Sequence, residues 1–329
     1  MRRRDVLAGL LASAGASALR AAEPNRVYRL SAGNPFGLEF FSRPIWTHLF
    51  DRLSELGYTE GKNLIVDRYT AAGRPERFAE IAGNMVRSKP DVILLGWDNQ
   101  LIAQVAKETS PIPIVAMLPS VAAGHVRNIA RPEGNITGIA LDAGIEMQGK
   151  HLDILRQAVP SASRVAYLSN RDDWEGPWGR AVVEAGRQSG ISIIGIPLKH
   201  SAEEPEYREA FETMSQQSAD ALMFNGLGPN FTHRELIAEL ALKYRLPSIC
   251  WWVDLVEKGQ GLLAYAPDYS DTSERLADQV AQILRGAKIV DIPVVQPTKF
   301  ILAISLKTAK ALSLEIPPGL VARADEVIE

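Results

Sequence analysis

The sequence is short of the groups on which most enzyme chemistry relies. It has one cysteine, Cys250, in 329 residues. That excludes an internal disulfide and a thiolate metal cluster. The five histidines, His48, His125, His151, His200 and His233, are scattered, and none forms the paired spacing of a zinc helix. There is no P-loop and no G-x-S-x-G elbow, and Gly226-Leu227-Gly228 lacks the third glycine of a dinucleotide loop. Beyond residue 22 no segment is apolar for 18 residues, so no later segment reads as a membrane span. Positive charge is not in excess either: 36 Lys and Arg stand against 39 Asp and Glu, a formal net charge of −3. General nucleic-acid binding is therefore not expected. No cofactor, metal or catalytic set emerges from the residues.

What remains is the composition of an ordinary globular protein, 46% hydrophobic and 23% charged. The length suits two domains, each able to bury a core. The chain opens Arg2-Arg3-Arg4-Asp5-Val6-Leu7, runs small and apolar to Leu19, and passes Arg20-Ala21-Ala22 before Glu23-Pro24. A charged start, a dozen apolar residues and small residues after them read as a secretory signal. The leading arginines resemble a twin-arginine signal, the route for folded proteins. Ala16-Ser17-Ala18 fits the cleavage rule, and a cut after Ala22 leaves a cleaner mature start. Removing residues 1–22 takes away four Arg and one Asp, moving the formal charge from −3 to −6. The expected location is the periplasm. With no cysteine near the cut, a protein free of a lipid anchor is expected, as is a monomer.

One pattern occurs twice. Asn63-Leu64-Ile65-Val66, a helical stretch, Val92-Ile93-Leu94-Leu95, another helix and Ile112-Pro113-Ile114-Val115 make the first set. Ile191–Ile196, a helix from Glu204, Ala221-Leu222-Met223-Phe224, a helix and Leu246-Pro247-Ser248-Ile249 make the second. Alternating strands and helices predict parallel sheets covered on both faces. The fold class is therefore α/β, with two Rossmann-like parallel-sheet lobes. Lobe 1 is expected over residues 23–137 plus 266–296, and lobe 2 over 138–265 plus 297–329. Three candidate crossings, near Gly134–Ile139, Gly261–Tyr265 and Pro297–Ile304, make a hinge.

Ligands of open parallel sheets sit beyond the carboxyl ends of the strands. The residues there are Ser31, Asn34 and Phe36 after the first strand, then Trp97, Asp98 and Asn99. Ser120 follows the next strand, and Asn170, Asp173 and Trp174, with Trp178 close by, follow the one after. Asn225, Trp251 and Asp254 complete the set. Five of the six tryptophans fall in these stretches, beside Asn, Asp and Ser. Apolar walls with a few orienting polar groups are the makings of a ligand cleft. One of Trp251 and Trp252 is expected to face away, since neighbours on an extended segment point oppositely.

Four stretches carry a family resemblance: Leu56-Gly57-Tyr58-Thr59-Glu60-Gly61-Lys62-Asn63, Ile129–Gly138, Leu284-Arg285-Gly286-Ala287-Lys288, and the tail from Pro293 and Gln296-Pro297-Thr298-Lys299-Phe300 through Leu306–Leu312 and Ile316-Pro317-Pro318 to Ala322-Arg323-Ala324-Asp325-Glu326-Val327-Ile328. The chain resembles the ABC-transporter substrate-binding family of the type I periplasmic binding protein fold, which includes members binding tryptophan and other aromatic amino acids. The resemblance implies capture of a solute between the lobes and delivery to an inner-membrane ABC permease. It also implies backbone amides at helix starts taking a ligand carboxylate, with Trp97-Asp98-Asn99 and the Asn170 loop at the matching places. Pro119-Ser120 stands where members often carry Asp-Pro, and the loops are richer in tryptophan. A small organic ligand, aromatic or amino-acid-like, is expected. A sensor for a membrane receptor and an exported enzyme are the alternatives.

Overall fold

The computed structural model describes residues 26–329 apart from 120, 142–143, 200–201 and 227–228. The expected signal, residues 1–22, lies outside the described residues. Five strands build the first sheet: β1 (Tyr28–Asn34), β2 (Leu64–Thr70), β3 (Val92–Gly96), β4 (Ile114–Leu118) and β5 (Ile136–Ala140), in the order β2-β1-β3-β4-β5. Every pairing is parallel. β3, β4 and β5 are buried at all five positions. Such unbroken apolar runs belong to strands covered on both faces.

The second sheet has seven strands: β6 (Arg164–Asn170), β7 (Ser192–Leu198), β8 (Ala221–Phe224), β9 (Ser248–Cys250), β10 (Leu263–Pro267), β11 (Phe300–Ser305) and β12 (Glu326–Ile328). Their order is β12-β11-β10-β9-β8-β6-β7. The chain is thus α/β with two parallel-dominated sheets. The departure from a wholly parallel arrangement is β11, which pairs antiparallel with β10 and carries β12 beyond it. The helix before β11 belongs to the other lobe, so β11 arrives at this edge without the covering helix that a parallel step needs.

Three crossings join the sheets. The chain leaves β5 for the helix Met147–Ala158, which packs on the second sheet. It leaves β10 for the helix Tyr269–Leu284, which packs against the helix Pro44–Glu55 and the first sheet. It returns after Val295, which bridges Ile139 at the edge of the first sheet, to enter β11. The division expected between 137 and 138 lies inside β5, and that between 265 and 266 inside β10. Gly138 sits where the first crossing begins, with φ of +145°, and a Cβ there would collide with the Ala116 carbonyl. Its own carbonyl accepts from the Gln279 side-chain amide at 3.1 Å, which also donates to the Pro293 carbonyl at 3.1 Å. One buried glutamine thus ties the starts of two crossings to the long helix.

Each sheet has a private apolar core on one face. A third core runs from the other face of the first sheet to that of the second. The link is aromatic. Phe36 meets Phe231 at 4.5 Å between ring centroids, and Phe40 meets Phe231 at 5.3 Å. Phe231 in turn packs against Trp252 at 5.7 Å.

Candidate functional site

Beside this aromatic link lies a small cavity of about 50 Å³ between the two lobes. Seven of its lining residues stand just past a strand: Trp97 after β3, Pro119 after β4, Leu141 after β5, Asp173 after β6, Asn225 after β8, Trp251 after β9 and Tyr269 after β10. Gln148, Tyr167, Trp178 and Gly226 complete the wall. The placement follows the rule for ligand crevices in open parallel sheets.

Asp173 is the charged group of this wall. Its backbone N–H donates to Asn170 Oδ1 at 2.7 Å, which caps the short helix Arg171–Glu175. Its carboxylate Oδ2 accepts from the Tyr167 hydroxyl at 2.9 Å and from Asn225 Nδ2 at 3.0 Å. Asn225 Oδ1 accepts from Asn230 Nδ2 at 2.8 Å, and Asn230 Oδ1 accepts from the Tyr207 hydroxyl at 2.9 Å. A chain of buried amides and phenols therefore fixes the carboxylate from behind. Burial raises the Asp173 pKa, against the two hydrogen bonds that favour its charged form. The same burial, with the neighbouring Asp173 charge, raises Tyr167 well above the ordinary phenol range, so Tyr167 is a donor here.

The apolar wall is tryptophan. Trp178 and Trp251 meet edge to face at 6.4 Å and 77°. His151 stands behind Trp251, ring to ring at 4.4 Å. Burial lowers the His151 pKa to about 4, against the Met147 and Tyr265 carbonyls that flank its two nitrogens at 2.9 and 2.8 Å. The neutral ring backs the tryptophan without adding charge. Trp97 adopts φ of +66°, a left-handed conformation that costs a residue with a Cβ about 1 kcal/mol or more. The turn aims its ring across the end of the sheet, where Phe40 meets it edge-on at 4.7 Å.

Four of the sequence candidates thus meet at the cavity: Trp97, Asp173, Asn225 and Trp251. Ser120 lies outside the described residues. The others are placed elsewhere, each for a local reason. Ser31 is buried in β1, hydrogen-bonded to Ser88 Oγ at 2.8 Å. Asn34 Oδ1 accepts from the Phe36 N–H at 2.8 Å, making a turn, and Phe36 joins the aromatic link. Asp98 caps the helix Asn99–Glu108 by accepting from the Gln100 and Leu101 amides. Asn99 reaches His125 at 3.2 Å. Asn170 supports Asp173 without lining the cavity. Trp174 lies over Gly195 of β7, where a Cβ would collide with its ring, and is partly buried there. Asp254 pairs with Arg43 at 2.7 Å across the lobes, beside a neighbouring groove. Trp252 faces opposite to Trp251 and is 4% exposed, packed on Phe224 and Phe231. Cys250 is buried, and its thiol is pushed up to about 12 by burial.

The residues that sequence reasoning did not select are Gln148, Tyr167, Leu141 and Tyr269. Tyr167 is inside a strand, and Gln148, Leu141 and Tyr269 lie on or beside the crossings. Pro119, Trp178 and Gly226 were in the right stretches and carried no distinguishing signal.

A sequence profile of the family described as ABC transporter substrate binding protein matches residues 45–328. A tyrosine-binding protein of Clostridioides difficile is 21% identical over 265 residues, covering 80% of this chain and 74% of that protein. A conserved domain protein of Vibrio cholerae superposes with a TM-score of 0.82 at 22% identity, over 92% of this chain and 100% of the other. A Streptococcus pneumonia ABC domain in complex with L-Trp superposes with a TM-score of 0.79 at 18% identity, over 91% of this chain and 100% of the other. Both superpositions show a shared fold.

Proposed function

The chain belongs to the ABC transporter substrate-binding protein family, and from that premise we propose that it captures a small aromatic, amino-acid-like solute between its lobes and presents it to a membrane permease. The observation that carries the reading is the cavity itself. Three tryptophans and two tyrosines surround one anchored carboxylate at the meeting of seven strand ends. Flat apolar walls suit a ring, and the few polar groups suit the polar end of the same molecule. The tyrosine-binding relative and the L-Trp complex of the structural neighbour support a solute of this size and type.

The role is non-catalytic. The family is one of substrate-binding proteins, and the wall carboxylate of Asp173 is held by donors instead of facing a nucleophile or base. Closure turns on the three crossings, with the first sheet and its helices moving against the second sheet and its helices. Solute bridging both walls stabilises the closed arrangement by its differential affinity for that state. The permease then reads closure. The protein is exported through the N-terminal signal, works in the periplasm and acts as a monomer. Among the described residues no helix is long and apolar enough to cross a membrane.

A melting-temperature screen against aromatic amino acids, aromatic amines, nucleobases and sugars tests this. A ring-bearing class at 100 times its Kd should stabilise the fold by about 2.7 kcal/mol, a shift of several degrees at most. The hit should be recovered unchanged, and at the same concentration the shift should fall to roughly half in Trp251→Ala. A hit that is chemically converted, or a shift that the substitution leaves at its wild-type size, contradicts the reading.

A further inference from the structure

We infer that the cleft selects its solute through an ammonium group and does not require a carboxylate, so that arylalkylamines bind in preference to the matching amino acids; this rests on the cleft being the solute site. The described lining residues include one anionic side chain, Asp173, and no Lys, Arg or His. Both hydrogen bonds to that carboxylate reach Oδ2, and Oδ1 has no hydrogen-bond partner among the described residues. A second acceptor, Gln148 Oε1, is buried on the same wall without a partner. A buried acceptor without a partner beside a carboxylate oxygen free to accept calls for a ligand that donates.

A ligand carboxylate finds the opposite conditions. The backbone amides of several wall residues are already in use. Trp97 N–H donates to the Met117 carbonyl, Leu141 N–H to Leu118, Gln148 N–H to Ile145 and Asn225 N–H to Leu168. Asp173 N–H is held by Asn170. The Asn225 side-chain amide is engaged at both ends. Arg43, the cation at the lobe boundary, is paired with Asp254 and lines the neighbouring groove instead. A carboxylate would therefore share a low-dielectric space with Asp173, uncompensated by a side-chain cation. An ammonium would pair with Asp173 and sit among the faces of Trp97, Trp178 and Trp251, which attract cations through their ring quadrupoles. Burial raises Asp173, and a bound cation offsets that cost.

Calorimetric titration of the full chain with two matched series tests the inference. One is tryptamine, L-tryptophan and indole-3-propionate; the other is phenethylamine, L-phenylalanine and 3-phenylpropionate. Each amine should bind at least tenfold more tightly than its amino acid, and the acids should give no heat of binding. Asp173→Asn, checked for an intact melting transition, should weaken amine binding at least tenfold. An amino acid or acid that matches or exceeds its amine overturns the inference, as does wild-type amine affinity in Asp173→Asn. The wild-type series decides the matter even if the variant does not fold. If no member of either series binds while another class shifts the melting temperature, the inference falls and solute capture stands. If no class shifts it, both fall.

Discussion

The two walls of the cleft are made differently. The first lobe contributes Trp97, Pro119 and Leu141, and Tyr269 stands at the crossing into its long helix. Trp97 is 7% exposed and is tied into the core through Phe40 and, at 5.8 Å, Trp46. The second lobe contributes Gln148, Tyr167, Asp173, Trp178, Asn225, Gly226 and Trp251. Behind them stand Asn230, Tyr207 and His151. The first wall is an edge of the core that closes the space. The second is a half-buried polar surface with its own supporting layer, and in the proposed function it reads the ligand. Damage to the first should therefore register as lost stability, and damage to the second as lost binding.

The largest expected effect is on the first wall. Trp97→Ala removes a buried indole and should cost about 3–5 kcal/mol of unfolding free energy in urea. Trp251→Ala, whose ring is half-buried, should cost clearly less; equal losses would erase the distinction.

Next comes pH, through two groups of the second wall and its backing. The His151 pKa is lowered to about 4 in the folded chain, against about 6.5 unfolded. A depressed base contributes stability above its unfolded pKa, and that stability is lost as pH falls through the window to the folded value. About 3 kcal/mol should disappear between pH 6.5 and 4 in urea titrations, and His151→Gln should flatten that slope. Asp173 has the opposite sign. Its folded pKa is raised, so its contribution is present below the unfolded value and lost as pH rises through the folded one. Asp173→Asn should therefore raise the melting temperature of the empty protein at pH 7 while weakening binding, which separates function from stability at one residue.

A smaller effect belongs to the tryptophan of the second wall. Trp251→Ala should weaken aromatic ligands by about 1.5 kcal/mol, roughly tenfold, in calorimetry. The smallest lies between the walls. Arg43→Gln breaks the pair with Asp254, whose side chains are 27% and 28% exposed. It should change affinity by about 0.5 kcal/mol, roughly twofold. A loss as large as that of Trp251→Ala would move the ion pair from a boundary contact to a main holder of the closed form.

The fold was largely legible in the sequence because its strands are short β-branched runs separated by amphipathic helices, and the pattern occurs twice. β11 was legible as an apolar run, but not its antiparallel pairing, since direction within a sheet depends on where the preceding helix packs. At the site, the strand-end rule led to Trp97, Asp173, Asn225 and Trp251. It also led to Ser31, Asn34, Asp98 and Trp174, because proximity to a strand end does not say which way a side chain points. Asp98 and Asn170 are polar because helix starts need caps. Tyr167 was hidden by its place inside β6, where an aromatic reads as core. Gln148 and Tyr269 depend on the crossings, whose geometry is a property of both lobes together.

The central claim is that one lobe reads the solute and the other closes over it. Solution X-ray scattering of the protein with and without a saturating ligand from the melting screen tests it most directly. The account predicts a radius of gyration that falls on saturation in the wild type, and that falls in Asp173→Asn only at ligand concentrations at least tenfold higher. A ligand that saturates the wild type by calorimetry and leaves the radius of gyration unchanged would contradict closure between the two walls.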